Sequence, residues 1–540
     1  MHPTRDPVTK GSERGERELA PQDLVLAHDF GTTGNKATLI TPRGAVIASH
    51  YEPYPTEYPQ PGWAEQRPRD WQAAFVASTS SVLAKAELRP EALAAVTFSG
   101  HMLGCIPVAE DGRPLRDSVF LWADHRSHTQ AEALEQRIGW ESFYRRTGGG
   151  LELALYPAAK QLWIKENEPA IFRAAHRFVG TKDFLVHWLT GRFVTDFSDA
   201  SNTGLLDLVE RRWAKDYVNV LGLDIEKLPA DILPSTAIVG GVTPTAARET
   251  GLAAGTPVVL GGGDVPCAAV GAGVVAEGTA YNYIGSASWV AVANPHGVFD
   301  EVMRPFTLCH LAPGMYVSQL ATYSAGVVHE WVKDQICLAE ARDAQRAEDS
   351  AFDAMDAVAA ESPAGANGLL FLPHMRGGGA PFHDLHSRGA LLGLQLGHRR
   401  SDLLRAVLEG ISLNIGMLCD ALQQGIGQEI SALRVIGGGA RSKLWLGILA
   451  SVLGKRVMTL AASQEANCLG AAMTAYVGLS RFAGFEEAAD AMIHVAEQVE
   501  PDPQAVPVYR ARSRLFRDAY DAVSPIHGSL IEESRPNMAG

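Results

Sequence analysis

The chain has 540 residues, room at ~150 residues per domain for three or four domains or two large ones, and enough to bury a core without disulfides or metals. Apolar residues make up 46% and charged residues 20%, the balance of a soluble globular protein. Lys and Arg number 47 against 61 Asp and Glu, a net charge of −14, which argues against nucleic acid as the main partner because phosphate binding needs a basic excess.

Residues 1–22 mix Arg, Lys, Glu, Pro and Gly around no apolar centre, so this stretch reads as a disordered extension and not as a signal peptide or membrane span. Leu24–His28 is a short apolar run. After it come Asp29-Phe30-Gly31-Thr32-Thr33-Gly34, a second run Asn35–Ile40, the turn Thr41–Gly44 and a third run Val46–His50. The pattern predicts an antiparallel strand meander, not the strand-to-helix layout of a Walker A loop. Asp70–Ala86 has helical periodicity.

The most apolar stretch, Thr256–Val275, carries Asp264, Pro266 and many glycines, unlike a bilayer span. Thr279–Ile284, the small-residue turn Gly285–Ser288 and Trp289–Ala293 repeat the opening strand–turn–strand pattern. This predicts two related halves meeting near residue 275. Ser401–Leu422 predicts a helix with Leu403, Val407, Leu408, Ile411 and Ile415 on its buried stripe. Leu433–Ile436, Gly437–Ser442 and Lys443–Leu453 read as strand, glycine loop and helix, and Tyr509–Tyr520 as a last helix before a flexible tail, 524–540. Alternating strands and helices make the class α/β. Six cysteines, with no CxxC pair among them, suit reduced buried thiols in a cytoplasmic protein and give no reason to expect zinc.

Three segments carry chemistry. In Asp29–Lys36, Gly31 allows close backbone approach to an anion, Thr32 and Thr33 add hydroxyl donors, and Lys36 adds positive charge. Asp29 can hold Mg²⁺ through water. The same residues would also suit a plain hairpin turn. Asp264, after Gly261-Gly262-Gly263, stands at the carboxyl end of a predicted strand, where it could take a proton from a hydroxyl. It could equally cap the helix announced by Pro266. Gly437–Ser442 has the strand–loop–helix layout of a nucleotide cradle, without a dinucleotide fingerprint. His101, Met102, Trp122, Asp124 and Arg126 suit a polyhydroxylated ligand, with a surface ion pair beside a core Trp as the bland alternative.

Taken together, these segments resemble the FGGY family of carbohydrate kinases, in its xylulokinase-like branch, over about residues 24 to 522. The motifs in order are DFGTTGNK at Asp29, GWAEQRPRDW at Gly62, SGHMLG at Ser99, LWADHR at Leu121 and YPAAKQLWIKEN at Tyr156. They continue with TKDFLVHWLTGRFVTDFSDASNTGLLD at Thr181, GGGDVPCAAVGAGVV at Gly261, RGALLGLQLGHRRSDLLRAVLEGI at Arg388 and GGGARSKLW at Gly437. The resemblance implies two actin-like (ribonuclease H-like) domains, 23–275 and 276–523, with the sugar site and catalytic Asp in the first, the nucleotide site in the second and a cleft between them.

It implies Asp264 as catalytic base and Asp29 as the acidic residue on the metal and phosphate side. Thr32, Thr33, Lys36, Gly285, Ser286, Gly326, Gly438, Gly439 and Ser442 would contact nucleotide. His101, Met102, Trp122, Asp124, Asp264 and Val265 would contact sugar. ATP and Mg²⁺ are the cofactors expected, a small sugar or polyol is the partner, and neither nucleic acid nor membrane is; a homodimer is the candidate assembly.

The expected reaction phosphorylates a primary hydroxyl of a ketopentose, D-xylulose to D-xylulose 5-phosphate. D-ribulose, gluconate, a tetritol or a pentitol are alternative substrates, and an actin-like or Hsp70-like ATPase with a protein-binding output is an alternative class. A non-enzymatic sugar sensor would need a DNA-binding module, for which residues 1–22 are too short. Two departures bear on substrate. Where the xylulokinase pattern has SGQMHG and GGGDN, this chain has His101 for Gln, Leu103 for His and Val265 for Asn. Replacing polar contacts in a hydroxyl-bonding site can shift substrate choice.

Overall fold

The computed structural model describes residues 23–347 and 350–534. The expected extension, 1–22, lies outside the described residues. The first half is built on strands β1 (Leu24–Phe30), β2 (Gly34–Ile40), β3 (Val46–Pro53), β4 (Leu93–Gly100), β5 (Ile238–Gly241), β6 (Pro257–Val259) and β7 (Gly262–Gly263). They form one sheet in the order β5-β6-β4-β1-β2-β3, with β7 also pairing with β4. β1 is antiparallel to β2 and parallel to β4. It is buried almost throughout, as the apolar run Leu24–Ala27 suits a central strand, whereas β3 at the edge is largely open to solvent.

The second half repeats the plan with β8 (Ala280–Ile284), β9 (Ser288–Asn294), β10 (Phe306–Cys309), β11 (Tyr316–Thr322), β12 (Ala432–Ile436), β13 (Arg456–Leu460) and β14 (Val495–Val499). Their order is β10-β11-β9-β8-β12-β13-β14, and β8 is antiparallel to β9 but parallel to β12. In both sheets an antiparallel unit, three strands in the first and four in the second, is followed on its other side by two parallel strands and a last antiparallel one. The strand–small turn–strand pattern expected at Asp29 and again at Gly285 is therefore the same topological position in each half.

Helices cover the sheets. α1 (Pro68–Lys85) buries Trp71, Phe75 and Val82, and α3 (Gly326–Gln335) follows the second meander. α4 (Arg400–Ile426) buries Val407, Leu408, Ile411 and Ile415 as its periodicity predicts. Two helices join the halves. α2 (Asp264–Gly271) ends the first half, and α6 (Ala466–Gly478) belongs to the second but packs on the first half's sheet, where Cys468, Leu469 and Ala472 meet Val25, Ala27 and Ala95. They approach so closely that a Cβ on Gly271 would stand 1.8 Å from the Ala466 carbonyl oxygen, and one on Gly470 1.9 Å from that of Cys267.

The tail expected to fray from Ser524 is instead helical as far as it is described. α7 runs from Ala505 to Ser534, and His527 is buried with its Nδ1 accepting the Arg388 N–H at 3.2 Å. All six cysteines are free and buried. Among the described residues no helix is long and apolar enough to cross a membrane.

Candidate active site

The ends of β1, β4 and β7 lie side by side, with Asp29 opposite Ser99 and Ser99 opposite Gly262. This register brings Asp29 and Asp264 to one carboxyl edge of the first sheet. Asp29 Oδ1 accepts from Ser99 Oγ at 2.8 Å and from Asn467 Nδ2 of α6 at 3.1 Å. Burial pushes its carboxyl up, against the pull of those two bonds and of Lys36. Its Oδ2 has no hydrogen bond among the described residues. A carboxylate with one oxygen anchored and one free suits a divalent cation that keeps most of its water. No cluster of three or more His, Cys, Asp or Glu that could hold a bare ion occurs among the described residues.

Asp264 is the first residue of α2, and the N-cap is Gly263, so its side chain is not spent as the helix cap. Its Oδ1 accepts only the N–H of Val265, at 2.8 Å. Burial, followed by the charge of Asp29, raises its pKa to about 7. That value is suited to a base that accepts a proton near neutral pH.

The backbone leading to Asp264 is fixed from behind. Gly261 has φ +69°, and a Cβ there would stand 1.9 Å from the Phe98 carbonyl oxygen, which only glycine tolerates. The Gly263 N–H donates to Ser198 Oγ at 3.0 Å, and Ser198 Oγ donates to Asp196 at 2.6 Å. Asp196 in turn shares buried Lys182 with Asp183 and Asp199, the ammonium lying 3.1, 2.6 and 3.1 Å from the three carboxylates in that order. Met102 lies under the same turn, its Sδ 2.6 Å from where a Gly263 Cβ would be.

The first turn, Gly31–Thr33, is held by its neighbours. Tyr54 donates to the Gly31 carbonyl at 2.6 Å, and Gln66 and Thr56 donate to that of Thr32 at 2.6 and 3.0 Å. Thr32 Oγ1 accepts from Trp122 Nε1 at 2.9 Å and Thr33 Oγ1 from Tyr51 at 2.7 Å. Each hydroxyl is thereby an acceptor in these bonds and keeps its own proton to donate. Lys36 reaches across to the second half, donating to the Gln464 carbonyl at 2.7 Å with Glu465 3.8 Å away.

The second turn is held within its own half. The N–H groups of Gly326 and Val327, opening α3, donate to the carbonyls of Gly285 and Ser286 at 2.8 and 3.1 Å, and Ser286 is exposed. Gly437 and Gly439 pack on Ile284, while Gly438 is exposed with nothing closer than 3.9 Å to a Cβ position. Ser442 is the N-cap of helix α5 (Lys443–Leu453), accepting from Trp445 N at 3.0 Å and donating to Asp356. Asp29, Lys36, Tyr283, Gly437, Gly438 and Gln464 line a pocket of about 240 Å³ between the halves.

Two of the residues expected to contact sugar are buried. Asp124 is fully buried. Its oxygens accept from Arg126 at 2.6 to 3.1 Å and from the Ala64 N–H at 2.8 Å, so it braces the loop. His101 is 3% exposed, edge-on to Trp71 and within 3.3 Å of Thr181 Oγ1, and burial lowers its pKa to about 3. Its ring lines a small cavity with Met102, Gln161 and Asn202. Trp122, by contrast, is 43% exposed beside Thr32, the reverse of a core tryptophan with a surface ion pair. Val265 is half-buried, and its carbonyl accepts from Tyr281 of the second half at 3.3 Å.

The sequence reading missed Lys160, whose fully buried ammonium donates to the carbonyls of Leu103 and Leu121 at 2.9 and 2.8 Å and so ties the two candidate sugar loops together. The signal was a lysine inside the apolar stretch YPAAKQLW. It also missed Ser99 and Asn467, which only long-range pairing brings to Asp29.

Comparison with known proteins matches this arrangement. Residues 24–271 match the N-terminal domain of the FGGY family of carbohydrate kinases, and residues 280–479 its C-terminal domain. A xylulose kinase of Staphylococcus epidermidis is 30% identical over 512 residues, covering 94% of this chain and 99% of that protein. A gluconokinase of Bacillus subtilis is 26% identical over 514 residues, covering 94% and 99%. The crystal structure of a xylulose kinase from Rhodospirillum rubrum superposes with a TM-score of 0.83 at 30% identity, covering 94% of this chain and all (100%) of the other.

Proposed function

The chain belongs to the FGGY family of carbohydrate kinases, and from that premise we propose that it transfers the γ-phosphoryl group of ATP to a primary hydroxyl of a ketopentose, D-xylulose giving D-xylulose 5-phosphate. The observation that carries the reading is Asp264, a carboxylate free of capping duty, with its pKa raised to about 7, beside a second carboxylate at the mouth of a cleft. The relatives named xylulose kinase at 30% identity support the choice of sugar. Gluconokinase relatives at 26% identity support a second reading, a sugar acid or polyol at the same site. The same proposal puts the enzyme in the cytoplasm, which suits six free, buried cysteines.

In this mechanism Asp264 orients the sugar hydroxyl and accepts its proton as the oxygen–phosphorus bond forms. Phosphoryl transfer runs through a loose transition state, so positioning and charge stabilisation carry most of the rate. Thr32 and Thr33 from one half and the Gly285–Ser286 turn from the other supply donors to the phosphates, with Lys36 adding charge. Gly326, Gly438, Gly439 and Ser442 frame the nucleotide. Trp122, Met102 and Val265 bound the sugar. Mg²⁺, when bound, neutralises phosphate oxygens, and Asp29 would hold it through water.

The test is ADP release measured across D-xylulose, D-ribulose, gluconate, a tetritol, a pentitol and no sugar. The reading expects kcat/KM to be highest with D-xylulose. Gluconate in first place would transfer the proposal to the second reading. Equal ATP hydrolysis with and without sugar would favour an ATPase whose output is protein binding.

A further inference from the structure

We propose that the phenol of Tyr283 donates a hydrogen bond to the phosphoryl group as it passes between nucleotide and sugar, which makes Tyr283 a catalytic residue of this site. The inference rests on the kinase reading above. Tyr283 sits on β8, two residues before Gly285. Its Cε1 and hydroxyl oxygen lie 2.5 and 2.7 Å from where a Cβ on Gly285 would stand, and its Cε2 lies 3.2 Å from the same position on Gly437. The ring therefore fills the gap between the two glycine turns and touches both. It lines the pocket that holds Asp29 and Lys36. Its hydroxyl makes no hydrogen bond among the described residues, so its proton is unspent.

The ring is also held in register with the base. It stacks on Trp289, centroids 4.1 Å apart and planes 15° from parallel. Trp289 Nε1 donates to the Tyr281 hydroxyl at 3.0 Å, and that hydroxyl donates to the carbonyl of Val265, the residue after Asp264, at 3.3 Å. This chain of contacts crosses from the second half to the first and fixes Tyr283 relative to Asp264. Burial, and then the charges of Asp29 and Asp264, push the phenol up, so it remains a donor and does not compete for the sugar proton.

In the step itself, the sugar oxygen bonds to the γ-phosphorus, the bond from that phosphorus to the ADP oxygen breaks, and the hydroxyl proton goes to Asp264. The Tyr283 proton stays on its own oxygen. Its contribution is to charge on the equatorial phosphoryl oxygens, where one preorganised donor is worth about a hundredfold in rate.

Tyr283→Phe keeps the ring and its stack on Trp289 and removes only the donor. The variant is assayed for D-xylulose-dependent ADP release and titrated calorimetrically with ADP, and with ADP plus aluminium fluoride in the presence of D-xylulose. Asp264→Asn is run beside it. The expected result for Tyr283→Phe is an unchanged melting temperature, ADP affinity within about twofold, metal-fluoride affinity weaker by about tenfold and kcat lower by about a hundredfold. A kcat within about threefold of wild type, or equal losses toward ADP alone and toward the metal-fluoride complex, overturns the proposal and leaves Tyr283 a packing residue. If Asp264→Asn loses turnover while Tyr283→Phe keeps it, only this inference fails; if Asp264→Asn keeps turnover, the site reading fails.

Discussion

Replacing Asp264 by Asn should stabilise the folded chain while abolishing most of its turnover. Burial, then Asp29, lifts this carboxyl from its ordinary 3.8 to about 7. A carboxyl raised on folding binds its proton more tightly in the folded state. Its favourable contribution is therefore complete below the unfolded value and is lost as pH rises through 7. Above pH 7 the ionised group works against the fold. The gap between 3.8 and about 7, at ~1.4 kcal/mol per pH unit, sets a ceiling of about 4 kcal/mol. Asp264 opens partly to the cleft, so solvent screening brings the figure down to about 1–2 kcal/mol.

A neutral carboxamide avoids this cost. Thermal melts should show Asp264→Asn more stable than wild type at pH 8, by roughly 2–4 °C per kcal/mol for a domain of this size, with the difference vanishing near pH 4. The same variant should lose about 10²–10⁴ in kcat. Equal or lower stability at pH 8 would refute the electrostatic reasoning, and retained kcat would refute the base.

Wild-type kcat/KM should be flat above pH 7 and fall about tenfold per pH unit below it, because only ionised Asp264 accepts the proton; a profile flat down to pH 5 would contradict this. Lys182→Met strands three buried carboxylates, Asp183, Asp196 and Asp199, without their counter-charge and should cost about 3–5 kcal/mol in urea unfolding; a loss below about 1 kcal/mol would mean that the cluster is not held by that ammonium. Gly470→Ala puts a methyl 1.9 Å from the Cys267 carbonyl, forces α2 and α6 apart and should cost about 1–3 kcal/mol together with much of the turnover; an unchanged melt would show that the crossing can yield.

What could be read from the chain follows from range. The β1–turn–β2 unit and α4 were legible because their apolar spacing is local and their neighbours continue the pattern. Asp264 was legible as a candidate, but its freedom from capping depends on Gly263 taking the N-cap position, which Ser198 and Met102 secure from elsewhere in the sequence. The inversion at LWADHR has the same origin. Local sequence gives a Trp and an Asp/Arg pair, and only tertiary packing decides that the ion pair is buried and the indole exposed. His101 occupies a motif position that resembles a sugar contact, yet Trp71 and Thr181 draw its ring inward. Tyr283 and Trp289 look like any aromatic pair across two strands until the turns at Gly285 and Gly437 are seen to close around the first of them.

A crystal of Asp264→Asn soaked with D-xylulose and Mg·ATP tests the central claim most directly, since the slowed variant holds both substrates. The account predicts the side chain at 264 within ~2.6–3.2 Å of the primary hydroxyl, with the γ-phosphate in line between the Thr32–Thr33 and Gly285–Ser286 turns. A sugar bound with its reacting oxygen away from residue 264, facing another acid or no acid at all, would contradict it.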